Sequence, residues 1–481
     1  MYLQQISDPK LGQHAYLIGC QETGQAIIID PQRDIDRYLA AAQAAKLRIV
    51  AAADTHIHAD YLSGLRQFAE LPGVEILASA EGGTEWQFEW LVNSPFRYRL
   101  LRNRDRFTIG RVRLEAWHTP GHTPEHLVYL VTDTTRSEQP AALLSGDLVF
   151  VEDVGRPDLL EAVIGQIGAA QAAAGELRLS LQRLRALGPE LLLLPGHGAG
   201  SACGKSLGSM PISTFGYEAA TNRALRLLDL PHEFTDYILR GQPEPPPYFK
   251  RMKQLNRGGV PLVDSQVRPR QRSSSELAEI IGSPEWVIVD TRSWELYRGG
   301  HFPGALFAPI DKSFTTTIGS FIAPEDRICL VIEPAQLAEA LADCRRIGLD
   351  RVECYLTPEE VQSYQQSGGP MARADQINIV SLAERMARPD TLALDVRSTA
   401  EIAETGMIEG TRNIPHTQLS LRLDSLPRER NIHVFCRTGN RSRVSCGYLE
   451  RQGFRTTLVD GGIEEWKLLD GELVPANEVL N

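Results

Sequence analysis

Five side chains spread over the first 200 positions constrain this chain more than any other feature. They are His56 and His58 in Thr55-His56-Ile57-His58-Ala59-Asp60-Tyr61, His122 in Thr119-Pro120-Gly121-His122, Asp147 in Ser145-Gly146-Asp147, and His197 in Pro195-Gly196-His197-Gly198. Each is competent to bind a metal ion, and most follow a short apolar run. Arg48-Ile49-Val50-Ala51-Ala52-Ala53 leads into the His56 segment, Ala141 to Ser145 into Asp147, and Leu191 to Leu194 into His197. Together with Ala26 to Ile29 and His126 to Val131 these runs read as buried strands. The candidate ligands therefore sit where strands run out into loops, where α/β proteins place their chemistry.

The remaining organisation follows from linkers and a repeat. Gln242 to Pro247 is proline-rich, and Val267-Arg268-Pro269-Arg270-Gln271-Arg272 is polar and basic, followed by serines. Beyond them Val289-Asp290-Thr291-Arg292-Ser293 recurs as Leu394-Asp395-Val396-Arg397-Ser398. Arg346-Ile347-Gly348 likewise recurs as Arg451-Gln452-Gly453, about 105 residues on. Three α/β domains are expected, over 1–265, 270–370 and 374–481. The formal net charge of −11 argues against nucleic acid or an anionic membrane as a main partner. No apolar run is long enough to span a bilayer. Met1 to Gln5 has neither a basic nor an apolar signal region. Seven cysteines, with no Cys-x-x-Cys pair, fit a reducing cytoplasm and individual reactive thiols. A cytoplasmic homo-oligomer is expected.

The ordered set His-x-His-x-Asp, Gly-His, Gly-Asp, Gly-His resembles the metallo-β-lactamase superfamily over most of 1–265, which implies an αββα sandwich with its metal at one edge of two packed sheets. Two-zinc members carry a further histidine after the Asp of the first motif. Here that residue is Tyr61, a poor ligand at neutral pH. The second metal site is left with Asp60 and His197. Without it, His56, His122 and Asp147 remain, and two histidines with one carboxylate is the set that non-haem Fe(II) uses with dioxygen. A zinc hydrolase, in which metal-bound hydroxide attacks a carbonyl, is the competing reading.

Ser63-Gly64, Thr123-Pro124 after His122, Leu148-Val149-Phe150 after Asp147 and Gly155-Arg156-Pro157-Asp158-Leu159 extend the likeness to one branch, the persulfide dioxygenases. The resemblance implies one Fe(II) per chain on His56, His122 and Asp147. His58, Asp60, Tyr61 and His197 would then orient ligands or substrate, or hold a second metal. The implied reaction is oxidation of a low-molecular-weight thiol persulfide, of glutathione, coenzyme A or similar, by O2 to sulfite and free thiol. Arg156, Lys250, Arg251 and Lys253 are weaker candidates for an anionic substrate. Cys203, in a glycine-rich loop beyond His197 with Lys205 nearby, is a candidate exposed thiol at the metal pocket, and resembles a sulfur-capturing cysteine of fused dioxygenase–rhodanese proteins.

A second chemistry lies near the C-terminus. Asn431 to Phe435 reads as a strand that runs into Cys436-Arg437-Thr438-Gly439-Asn440-Arg441 and a helix. A cysteine at a helix N-terminus, with Arg437 and Arg441 and a glycine for a tight curl, favours the thiolate. The Cys-x4-Arg loop is one residue shorter than a phosphatase cradle and suits a single transferred sulfur. With Asp395-Val396-Arg397, Asn413-Ile414-Pro415 and Asp460-Gly461-Gly462 it resembles rhodanese, a sulfurtransferase. The first repeat has Glu333-Pro334-Ala335 at this point and no cysteine in the loop, and reads as a non-catalytic rhodanese-like unit. Nearly the whole chain resembles the bacterial persulfide dioxygenase–sulfurtransferase fusions. The implied sum is sulfite made at the metal and combined with sulfane sulfur from Cys436 to give thiosulfate; the reverse flux uses the same residues. Two alternatives stand beside it. One is a two-zinc thioester hydrolase of glyoxalase II type with rhodanese docking domains. The other is a non-enzymatic sulfur carrier or sensor.

Overall fold

The computed structural model describes residues 1–165, 168–263 and 268–475. The boundary expected at 265, Val267 of the basic linker and the last residues of 374–481 lie outside them. The chain divides into two compact units, Met1–Val263 with Arg345–Gly348, and Asp264–Cys344 with Leu349–Asn481. No helix among the described residues is long and apolar enough to cross a membrane.

The first unit holds two six-stranded sheets. One runs Tyr2–Asp8, Gln13–Cys20, Gln25–Ile29, Arg48–Ala53, Glu75–Ser79, Tyr98–Leu101; the other runs Ser213–Thr214, Leu192–Pro195, Ala142–Gly146, Leu127–Asp133, Val112–His118, Arg106–Ile109. Side chains alternate faces along a strand. Ile27, Ile29, Leu127, Tyr129 and Val131 accordingly point inward, into one core shared by both sheets. Ala26 and Ile28 point the other way, against Tyr38 and Phe68 from the helices Asp36–Ala44 and Leu65–Ala69. Val128 and Leu130 meet Leu177, Leu181 and Leu184 of the helix Ala169–Leu184. Burial on both faces explains why these strands read as unbroken apolar runs. The layers are helix, sheet, sheet, helix, the αββα sandwich implied by the sequence.

Register brings the site together. Ala142–Gly146 and Leu192–Pro195 pair in parallel with Gly146 opposite Pro195. Both strands end at the same edge, so Asp147 and His197 emerge as neighbours. Leu127 N–H donates to the Thr55 carbonyl (2.8 Å), tying the first histidine segment to the other sheet.

The second unit holds two five-stranded parallel sheets with the same strand order. One is Arg270–Gln271, Val352–Leu356, Arg327–Val331, Trp286–Asp290, Leu306–Phe307; the other is Asp375–Asn378, Arg455–Asp460, Asn431–Phe435, Thr391–Asp395, Arg412–Asn413. The repeated Asp-x-Arg does the same work in each. Arg292 donates to Asp290 (2.7 Å) and the Gly300 carbonyl (2.8 Å), and Arg397 to Asp395 (2.7 Å) and the Gly406 carbonyl (2.8 Å). These arginines are structural.

Candidate functional site

Three ligand atoms converge at the edge of the sandwich. Asp147 Oδ2 lies 3.6 Å from His122 Nε2 and 3.9 Å from His56 Nε2. All three residues are buried, and Oδ2 has no hydrogen-bond partner among the described residues. An orphaned buried carboxylate oxygen costs free energy unless something fills the gap.

Neighbouring groups set the tautomers. Thr55 has one hydroxyl proton and donates it to Asp30 Oδ2 (3.0 Å). The same hydroxyl therefore accepts from His56 Nδ1 (2.9 Å), leaving Nε2 a bare lone pair. His122 Nδ1 donates to the Arg156 carbonyl (3.1 Å), with the same result. Burial, with the other ring charges, holds His56 well below the ordinary imidazole range. Burial also lowers His122 to about 4, against the pull of Asp147. Burial opposes ionisation of Asp147, but the charge and hydrogen bond of His197 prevail and its carboxyl is lowered. Two neutral imidazoles and one carboxylate are ready-made ligands, so these residues fit a divalent metal.

The other predicted residues surround this set. His197 Nδ1 donates to Asp147 Oδ1 (2.8 Å) and its Nε2 meets Asp60 Oδ2 (2.8 Å). Burial disfavours its charge, but Asp147, Cys203 and Asp60 raise it well above the usual range. His58 Nε2 is held by Asp30 Oδ1 (3.1 Å), while its Nδ1 has no partner among the described residues. Tyr61 stacks on His58 at 4.5 Å, and its hydroxyl lies between the Gln13 amide and the Asp30 carbonyl, each at 3.3 Å.

Several expectations are corrected. Cys203 is 2% exposed, and burial pushes its thiol up to about 12. It is not a solvent-accessible thiolate, although it does face Asp60 and His197. Lys205 turns instead to the Arg240 carbonyl (3.0 Å) and the Tyr237 ring. Arg156 is 1% exposed; its guanidinium binds Asp158 (2.6 Å) and the Ala202 carbonyl (3.0 Å), so it braces loops and offers a substrate nothing. The basic trio separates along the helix Phe249–Gly258. Lys250 is exposed, Arg251 donates to the Ile347 carbonyl (2.7 Å), and Lys253 is buried with Nζ 3.9 Å from the Trp86 ring. Burial lowers Lys253 to about 8, against the charge of Glu125.

Three positioning residues carry no sequence signal that names them. Asp30 receives Thr55 N–H (2.6 Å), the Thr55 hydroxyl and His58. Glu125 accepts from Ile57 N–H (2.8 Å). Asn256 donates to the His58 (2.8 Å) and Tyr61 (2.7 Å) carbonyls and accepts from Ser63 N–H (2.8 Å). The Asp-Pro turn after an apolar run was the only hint of Asp30.

In the second unit the strand Asn431–Phe435 ends at Cys436, ahead of the helix Asn440–Arg451. Gly439, at φ +106°, turns its N–H onto the Cys436 sulfur at 3.1 Å. The Ser442 hydroxyl lies 3.6 Å from that sulfur and donates to the Gly439 carbonyl (2.9 Å). A helix N-terminus and a directed N–H both stabilise negative charge on sulfur. Arg441 binds Glu401 (2.7 Å). Arg437 is exposed and paired with Glu464 (2.7 Å), so it stands outside the cradle it was expected to line. In the other repeat, Arg327–Val331 runs into a tight turn at Pro334–Gln336, and Cys329 lies within the strand.

Residues 8–197 match the metallo-beta-lactamase superfamily, and 379–469 match the rhodanese-like domain. A solved metallo-beta-lactamase structure from Staphylococcus aureus is 35% identical, covers 74% of this chain and 99% of its own, and superposes with a TM-score of 0.67. The chain belongs to the metallo-beta-lactamase superfamily. It joins that fold to a rhodanese-like domain, as a fusion of the persulfide dioxygenase–rhodanese kind. A sulfurtransferase of Allochromatium vinosum is 37% identical over 94 residues, 19% of this chain and 87% of its own. The mitochondrial persulfide dioxygenase ETHE1 of Bos taurus is 31% identical over 167 residues, 32% of this chain and 56% of its own. A hydroxyacylglutathione hydrolase of Rhodospirillum rubrum is 29% identical over 184 residues, 38% of this chain and 61% of its own. The chain thus spans little over half the length of these last two relatives.

Proposed function

We propose that this chain is a persulfide dioxygenase and sulfurtransferase of three α/β domains, 1–265, 270–370 and 374–481. It would hold one Fe(II) on His56, His122 and Asp147. The observation that carries the reading is the unpartnered Asp147 Oδ2 facing two bare imidazole nitrogens, with His58 Nε2 drawn away to Asp30. Fe(II) so bound supplies the electron-transfer chemistry by which dioxygen reacts with a sulfur anion. The balance is RSSH + O2 + H2O → RSH + SO3²⁻ + 2 H⁺. Thr55 and the Arg156 carbonyl hold the imidazoles in the ligand tautomer, and His197 holds Asp147. Lys253 acts on the charge of His122, and as the inward-facing cation it is assigned to balance an anionic substrate.

Cys436 takes sulfane sulfur from a second persulfide: its sulfur forms the new S–S bond and the carrier thiol leaves. Sulfite then attacks the outer sulfur, giving thiosulfate and restoring the Cys436 thiolate. Gly439 N–H and the helix terminus stabilise the anion in both states.

The purified protein is expected to contain iron and to take up oxygen with glutathione or coenzyme A persulfide. His122→Ala abolishes that uptake. Cys436→Ser keeps it, but releases sulfite in place of thiosulfate; if sulfite does not accumulate, the coupling is wrong. A second reading, a zinc thioester hydrolase, is favoured by the free Nδ1 of His58, which would add a third imidazole, and by the hydrolase relative. Zinc content and acyl-glutathione hydrolysis without oxygen uptake would establish it over the first.

A further inference from the structure

Replacement of a histidine by Tyr61 removes a ligand from the place where two-metal members of this fold hold their second ion. The Tyr61 hydroxyl is committed to Gln13 and Asp30, away from any ligand group. Another donor stands in the vacated neighbourhood. Ligand atoms of Asp60, His197 and Cys203 all lie within 4.8 Å of one another, and all three residues are buried.

The loop that carries the thiol is clamped. Arg156 donates to the Ala202 carbonyl (3.0 Å), and the Ser201 hydroxyl accepts from Cys203 N–H (3.1 Å). On the far side Asp153 Oδ2 accepts from Lys205 N–H and Ser206 N–H, both at 3.0 Å. The thiol is therefore placed by four hydrogen bonds that have no other purpose in the reaction described above.

We propose that Asp60, His197 and Cys203 form a second divalent-cation site, softer in preference than the His56–His122–Asp147 set. Carboxylate, imidazole and thiolate are the donors that zinc-class ions take, whereas the first set offers no sulfur. Charge balance favours the exchange. Before binding, the trio holds a carboxylate, an imidazolium and a neutral thiol. The incoming M²⁺ displaces the His197 Nε2 proton and the Cys203 S–H proton, both released to solvent. The buried trio keeps the same net charge and nothing is oxidised. His197 Nδ1–H stays on Asp147 Oδ1, so Asp147 Oδ2 remains free for the first site. The site does not depend on which metal the first set holds.

Metal-free full-length Cys436→Ser protein titrated with Cd²⁺ tests this by ultraviolet thiolate-to-cadmium absorption and by equilibrium dialysis. Two ions per chain are expected, with the thiolate band saturating on one of them. Cys203→Ala should lose the band and one ion, while His56→Ala loses the other ion and keeps the band. Asp60→Asn, which leaves the thiol in place, should weaken the band-forming site at least about tenfold. A single bound ion in the parent, or a band that survives Cys203→Ala, overturns the proposal; so does an unchanged affinity in Asp60→Asn. None of these readouts uses oxygen uptake, so the two readings fail separately.

Discussion

Asp30 is the residue on which the metal centre turns. One carboxylate takes a backbone N–H, a hydroxyl proton and a histidine, and through Thr55 it decides which nitrogen of His56 is bare. Its φ of +53° is unusual for a non-glycine residue and puts the carboxylate where these groups meet. Asp30→Asn is expected to lower metal affinity ~10–100-fold, the usual cost of losing an outer partner of a ligand, as read by chelator competition. Gly121 has a different kind of necessity. A Cβ there would lie 2.4 Å from Leu177 Cα, against helix backbone. Gly121→Ala should displace His122 and lose bound metal, even though it touches no ligand.

At the scale of elements, the site depends on helices that sequence patterning treated as surface. The helix Phe249–Gly258 reads as basic and amphipathic, yet its contribution is Asn256, which pins the loop from His58 to Ser63. Asn256→Ala leaves two buried carbonyls and one N–H unpaired. At ~1–3 kcal/mol for each buried orphan, the thermal midpoint and metal retention should both fall. In the second unit Glu401 links a helix cap to the cysteine loop by binding Ser398 and Arg441. Burial works against its ionisation, but the Arg441 bond and charge prevail and hold it at about 2, below its ordinary 4.5. A depressed acid stabilises the fold above its unfolded value. That contribution should be intact at neutral pH and lost as pH falls from about 4.5 towards 2. Glu401→Gln should flatten this acid limb in pH-dependent unfolding.

At the scale of the whole chain, each unit is built around one chemistry. Metal removal withdraws a ligand from the folded state of the first unit, worth about 2.7 kcal/mol for an ion at a hundred times its dissociation constant. Chelation should therefore lower the unfolding transition followed in the first unit, and Cys436→Ser should leave that transition in place. Much of this organisation was legible in the sequence. Strand identity came from apolar runs, the repeat from Asp-x-Arg, and the ligand types from histidines and aspartates at strand ends. Local chemistry and periodicity write themselves into neighbouring residues, so one dimension suffices to read them. Burial and partner choice do not. Cys203 seemed exposed because its loop is rich in glycine, and Arg156 seemed free because arginine usually is. Contacts from 46 and 50 residues away removed both from solvent or gave them other work. The sequence by itself determined which atoms are able to bind metal or carry sulfur. Only the tertiary structure decided which of them face each other, with which proton on which nitrogen, because that depends on strand register and on hydrogen bonds between segments the chain keeps far apart.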